Sequence, residues 1–225
     1  MSNVVVKEAH LTFGGVAYFR AHAEEVEIGS IGEKRKPLTK QNYLEVKDRV
    51  QVPEKEIIQA TVTEIDFNKT SKSAFNLNAS AIIKGVPVKL DSDAVFRKLK
   101  AGELKLVKFS ISNNDMKRAM NNSPQKLQDL IAWGNNARVV LQVFVVIEAK
   151  LADEFTRDMG IGISAGIKGL EAEVGGCFAA SGSSRITLSQ GTCFAYLLAK
   201  PDWDARKKKD RTRVVDLDDD QWGLN

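Results

Sequence analysis

Residues 139–147 read as apolar on both alternating faces, and no other stretch restricts the fold as strongly. One face carries Val139, Leu141, Val143, Val145 and Ile147, and the other Val140, Gln142, Phe144 and Val146. Successive strand side chains point to opposite sides, so such a strand requires one packing layer above it and another below. It is expected at the centre of the core.

The surrounding chain carries the period-two alternation of half-buried strands. Residues 9–28 hold two strand patterns about Gly14-Gly15, a hairpin signal. Ile58, Ala60 and Val62 alternate with Gln59, Thr61 and Thr63, and a change of phase at Ile65 and Phe67 marks a bulge. Phe75, Leu77, Ala79 and Ala81 alternate with Asn76, Asn78 and Ser80 before a Lys84-Gly85 turn. Helical signals are short. Asp91 or Ser92 caps 93–100, Asn113-Asn114 caps 115–120, and Ser123-Pro124 opens a helix whose buried face is Leu127, Leu130 and Ile131. Residues 40–47 suggest one more short helix, and 153–158 a polar connection. Beyond it, Ile161, Ile163, Ala165 and Ile167 alternate with small or polar residues, as do Leu170, Ala172 and Val174 on the way back.

With 225 residues, 43% of them apolar and 28% charged, the chain can bury a core without disulfides or metals. The expected fold is α+β: an antiparallel twisted sheet with a few short helices. It is expected as a single strand-rich domain over 1–200, followed by a charged C-terminal tail over 201–225. The opening residues do not read as a signal peptide, and no run approaches the roughly 18 apolar residues of a spanning helix. Cys177 and Cys193 have no CxxC spacing and fall in strand patterns, as reduced thiols would. A cytoplasmic location is expected, with membrane association when active.

Catalytic and metal signals are missing from the sequence pattern. His10 and His22 have no metal-ligand spacing, and no serine stands in a GxSxG elbow. The glycines of 160–169 alternate inside a strand pattern with no helix after them, so they cannot form a phosphate loop. A non-enzymatic protein without cofactor or metal is expected. Two basic clusters remain: Lys34, Arg35 and Lys36 in a loop over 33–37, and Arg206, Lys207, Lys208 and Lys209 in the tail. Either can meet phosphate on an anionic bilayer or on nucleic acid. Neither is interleaved with aromatics, as base stacking would require, so nucleic acid is the weaker expectation and solvated surface the plain alternative.

A helix at 123–133, an apolar strand at 138–149 and a polar hairpin at 160–178 are followed by Ile186-Thr187-Leu188-Ser189-Gln190-Gly191-Thr192-Cys193-Phe194-Ala195-Tyr196. The order of these elements across 115–200 resembles the pore-forming domain of the gasdermin family. The resemblance implies strands that lengthen into membrane-spanning hairpins and join neighbours in a homo-oligomeric pore, in bacterial defence or as a toxin. The amphipathic stretches 75–83 and 161–174 suit that use, with Phe75, Leu77, Ile161, Ile163, Ile167, Leu170 and Val174 as insertion or assembly residues. The competing expectation is a soluble β-rich assembly or binding module, such as a ring, tube or partner-complex subunit, without membrane activity.

Overall fold

The structure, a computed structural model, describes residues 3–38, 41–52, 58–70, 72–75, 79–156, 162–165, 185–188, 191–203 and 213–223. The chain begins with β1 (Val5–Val6), β2 (His10–Phe13) and β3 (Val16–Phe19), then β4 (Ser30–Arg35), β5 (Tyr43–Arg49) and β6 (Ile58–Thr63). The hairpin β7 (Ala79–Ile83) and β8 (Val86–Leu90) leads to α1 (Ser92–Lys100) and β9 (Leu104–Ile111). Next come α2 (Asn113–Asn121), α3 (Pro124–Trp133), β10 (Ala137–Glu148) and α4 (Ala149–Thr156). The rest is β11 (Gly162–Ala165), β12 (Arg185–Leu188), β13 (Cys193–Trp203) and β14 (Val214–Asp220).

The doubly apolar segment is β10, and it is the hub of the sheet. At its start Val139 pairs with Ile31 of β4 on one side and Ala199 of β13 on the other. At its end Val146 pairs with Leu106 of β9, antiparallel, and with Ala81 of β7, parallel. One strand thus serves two different pairs of neighbours. From β10 the sheet runs through β13, β3 and β2 to β1 one way, and through β9 to β6 the other. The sheet curls until these ends meet. The Val4 N–H donates to the Glu64 carbonyl at 2.7 Å, and the Asp66 N–H to the Val4 carbonyl at 2.8 Å. The fold is therefore α+β, a curled and mostly antiparallel sheet with a few short helices.

Both faces of β10 are covered, as its composition requires. Phe144 and Val146 pack with Leu11, Tyr18, Phe75, Leu106 and Leu197, and α1 adds Val95 and Leu99. Val143, Val145 and Ile147 face a second cluster with Phe19, Ile82, Phe109 and Tyr196, to which α2, α3 and α4 add Met116, Met120, Leu130 and Leu151. Within 139–147 Gln142 is the polar exception, and the Tyr18 hydroxyl donates to its Oε1 at 2.9 Å.

Several sequence expectations are corrected. Residues 40–47 form no helix among those described, because Tyr43–Arg49 pairs with β4 and buries Leu44, a gain the isolated helix lacked. Residues 33–35 are strand, not loop. Phe75 closes a 3-10 turn, Lys72–Phe75, and so is not a strand residue. The ring instead packs against Phe96 and Phe194, at 5.3 and 5.6 Å between centroids. The polar 153–158 segment belongs partly to α4, which buries Leu151 and Ala152. Ser112, not Asn113 or Asn114, caps α2, accepting from the Asp115 N–H at 3.1 Å. Ser123 makes no side-chain cap for α3; its hydroxyl donates back to the Ala119 carbonyl at 2.9 Å. Within 201–225, where a tail was expected, β13 continues through Pro201 to Trp203 and β14 adds a paired strand.

Two residues test this packing. The pairing of β4 with β5 slips between Ile31 and Gly32, and a Cβ on Gly32 would overlap the Glu45 carbonyl oxygen. Gly32→Ala is expected to destabilise the protein by about 3 kcal/mol or more in urea unfolding, since backbone has to move. Burial pushes the Tyr18 hydroxyl up to about 12. A phenol that ionises later when folded stabilises the protein below pH 10, and that contribution is lost as the pH rises through the folded value. Stability should therefore fall by up to about 1.4 kcal/mol per pH unit between pH 10 and 12 on this account, and Tyr18→Phe should remove that share of the slope.

Candidate functional site

Lys34, Arg35 and Lys36 do not form one cationic patch, because the strand they lie on sends them to different partners. Lys34 is buried, and its Nζ donates to Asp220 Oδ1 at 2.7 Å while lying 5.4 Å from the Phe19 ring centre. Asp220 Oδ2 accepts from Arg138 Nε at 2.5 Å, and Arg138 Nη1 also donates to the carbonyls of Asn135 and Ala137, each at 2.8 Å. Burial pulls the Lys34 ammonium below its usual range against the opposing pull of Asp220. Arg35 is clamped by Glu33 at 3.0 Å and by Glu45. Lys36 is exposed and has no ion pair among the described residues. A shallow groove of about 420 Å³ opens here, lined by Lys34, Arg35, Lys36, Pro37, Tyr43 and Asn136. Its cationic character rests chiefly on Lys36, which is a weaker anion site than three adjacent bases implied.

The ion triad anchors β14, whose other contacts are equally directional. Helix α2 places Asn113, Lys117 and Asn121 four residues apart on one face, against the outer edge of β14. Asn113 Nδ2 donates to the Leu217 carbonyl at 3.0 Å, Lys117 Nζ to the Val215 carbonyl at 3.2 Å and Asn121 Nδ2 to the Val214 carbonyl at 3.0 Å. Asn121 Oδ1 also accepts from the Val214 N–H at 2.9 Å, so one amide does the work of a neighbouring strand. Beyond β14, the Trp222 indole stacks on His10 at 4.2 Å.

The other end of β10 carries the hairpin β7–β8. Lys84 and Gly85 both have positive φ, 53° and 80°, the pairing of a two-residue type I′ turn. Among the described residues strand β8 pairs only with β7, and Val86 and Val88 are 58% and 37% exposed on one face. The pair flanking such a turn exchanges hydrogen bonds and the next pair does not, so Pro87, opposite Ile82, turns its nitrogen to the outer edge. That nitrogen has no hydrogen to offer, which blunts the edge against a further strand.

Arg20 is a buried charge with no carboxylate in hydrogen-bond contact among the described residues. It is wholly buried over the Phe194 ring, 4.5 Å from its centre, and Nη1 donates to the carbonyls of Lys7 and Ala74. Nε and Nη2 have no hydrogen-bond partner among the described residues, and burial pushes the group down to about 10. Cys193 is buried, with its thiol pushed far up by desolvation, so it is no nucleophile. His22, Glu24 and Glu25 converge within 4.8 Å on an exposed turn. His22 Nδ1 lies 3.4 Å from Glu25, and the ring stacks on Tyr43.

Of the remaining sequence-predicted residues, Leu77, Ile161, Ile167, Leu170, Val174 and Arg206 through Lys209 lie outside the described residues. Ile163 falls in β11, which pairs parallel with β12. The sequence reading missed Arg138, Asp220, Arg20, Val86 and Val88 as site residues. Comparison with protein families, curated proteins and solved structures finds no match to this chain.

The triad is testable by removing its centre. Asp220→Ala removes the carboxylate that two buried cations share and is expected to destabilise the fold by about 3–5 kcal/mol. Replacing Lys34, Asp220 and Arg138 together by Met, Leu and Met should lose less than the single change, measured by urea unfolding. A triple variant as damaged as Asp220→Ala would mean that side-chain shape, not charge, holds the site.

Proposed function

We propose that this is a non-enzymatic, pore-forming-like protein that first meets an anionic membrane through the β7–β8 hairpin and then oligomerises. The observation that carries the reading is the pair of exposed valines, Val86 and Val88, on a strand whose outer edge Pro87 blunts. An apolar face needs cover, yet this edge is poorly suited to hydrogen-bond a neighbour's strand. Cover from above, by an apolar surface, fits better. Lys84 and Lys89 are exposed on the same hairpin, and cations beside apolar side chains are the chemistry of an anionic bilayer interface. The exposed Lys36 adds a second cationic point on the surface. The amphipathic sequence of 161–174 supports a later insertion step. The competing soluble assembly module needs strand edges open to pairing, which this hairpin supplies poorly.

Vesicle co-sedimentation tests the first step. Binding is expected to vesicles containing phosphatidylserine and not to pure phosphatidylcholine, and to weaken with salt. Val86→Asp with Val88→Asp should reduce it at least about tenfold while leaving the fold intact by circular dichroism. Dye release from the same vesicles tests pore formation. Equal or absent binding to both vesicle types would reject the reading, and a defined oligomer in lipid-free solution would then favour the assembly module.

A further inference from the structure

We infer that His22, Glu24 and Glu25 bind a divalent first-row transition cation, for which Zn2+ is the probe. The inference does not rest on the membrane reading.

The three ligand atoms, one from each side chain, lie within 4.8 Å of one another on the exposed turn that follows β3. His22 Nδ1 stands 3.4 Å from Glu25 Oε1. That is longer than the roughly 2.7–3.2 Å of a sound hydrogen bond. It matches the separation of about 3.4 Å between two ligands of one tetrahedral ion whose bonds are about 2.1 Å. An imidazole nitrogen with two carboxylate oxygens suits Zn2+ and its neighbours, whereas Mg2+ and Ca2+ prefer oxygen alone. Two carboxylates balance the charge of a dication, and three protein ligands leave a fourth position for water.

Two features distinguish this group from ordinary exposed carboxylates. Neither Glu24 nor Glu25 has a lysine or arginine partner among the described residues, whereas nearby Glu27 is held by Arg49. Their mutual repulsion is therefore unrelieved by the chain, and a bound dication relieves it. The frame is also held in advance. Ala23 and Val26 are buried, the Val26 N–H donates to the Ala23 carbonyl at 3.0 Å, and the Gly191 N–H donates to the Glu24 carbonyl at 2.7 Å. The Tyr43 ring stacks on the His22 ring at 4.3 Å, which fixes its plane without using either nitrogen. Such a frame loses less freedom when the ion binds. Tyr43 also lines the groove that carries Lys36, so a bound dication adds positive charge beside it.

Isothermal titration calorimetry with ZnCl2, in excess Mg2+ and without lipid, tests the site on the full chain. One Zn2+ per chain is expected, and His10→Ala, outside the cluster, should leave its affinity unchanged. His22→Asn removes the imidazole and keeps a residue suited to the positive φ of 56° at that position. It should weaken binding about tenfold or more, and so should Glu24→Gln combined with Glu25→Gln. The three cluster side chains are exposed, so both variants should retain the circular dichroism spectrum of the native chain. No binding by the native chain, or an affinity unchanged in either cluster variant, overturns the inference, as does an equal loss in His10→Ala. If both cluster variants unfold, modification of His22 by diethyl pyrocarbonate in the native chain replaces them, read by peptide mass spectrometry. Protection by Zn2+ then supports the site, and an unchanged rate at saturating Zn2+ overturns it.

Discussion

The pairing of β10 with two different sets of neighbours is the constraint on which the rest depends. A strand of 12 residues bonded to β4 and β13 at its start and to β7 and β9 at its end cannot lie in a flat sheet. Two register shifts along its pairing with β13 take up the twist. The curl brings Val4 to Ile65 and divides the interior into two clusters. The two surface features of interest also sit at its two ends, Arg138 beneath β14 and Val146 beside the β7–β8 hairpin.

Buried charge is handled in two ways in this molecule. Around Asp220, two cations and one carboxylate share hydrogen bonds, and the Arg138 guanidinium also finds two carbonyls. Such a group adds little net stability over an apolar equivalent, but it penalises any arrangement that leaves a member unpaired. It therefore specifies where β14 sits more than it strengthens the fold. Arg20 is held by carbonyls and an aromatic face with Glu8 as a more distant countercharge, and two of its nitrogens have no partner among the described residues. Desolvation there is offset only in part, which explains the depressed affinity of the group for its proton.

The β7–β8 hairpin and β14 differ in how they treat an open edge. Strand β14 is shielded by side chains of α2 that imitate a partner strand, whereas β8 is shielded by a proline and a lysine while its valines stay exposed. Both devices oppose indiscriminate sheet growth. They leave different chemistry outside: carboxylates of β14 on one, apolar side chains flanked by ammonium groups on the other.

What the sequence determined by itself was local and periodic. The double-faced 139–147 run required a central strand covered twice, and the Gly14-Gly15 turn, the Lys84-Gly85 turn and the three short helices follow from rules acting within a few residues. Charges were harder to read. Lys34, Arg35 and Lys36 look alike in sequence, and only the pairing of β4 with β5 and the arrival of Asp220, 186 residues later, make them a buried anchor, a clamped surface pair and an exposed cation. Strand β14 was hidden for a related reason. Its buried residues, Val214, Leu217 and Asp220, recur every third position and not every second, and one of them is a carboxylate. A carboxylate reads as surface until the cations that receive it are in place, and those come from distant strands that only the folded chain brings together.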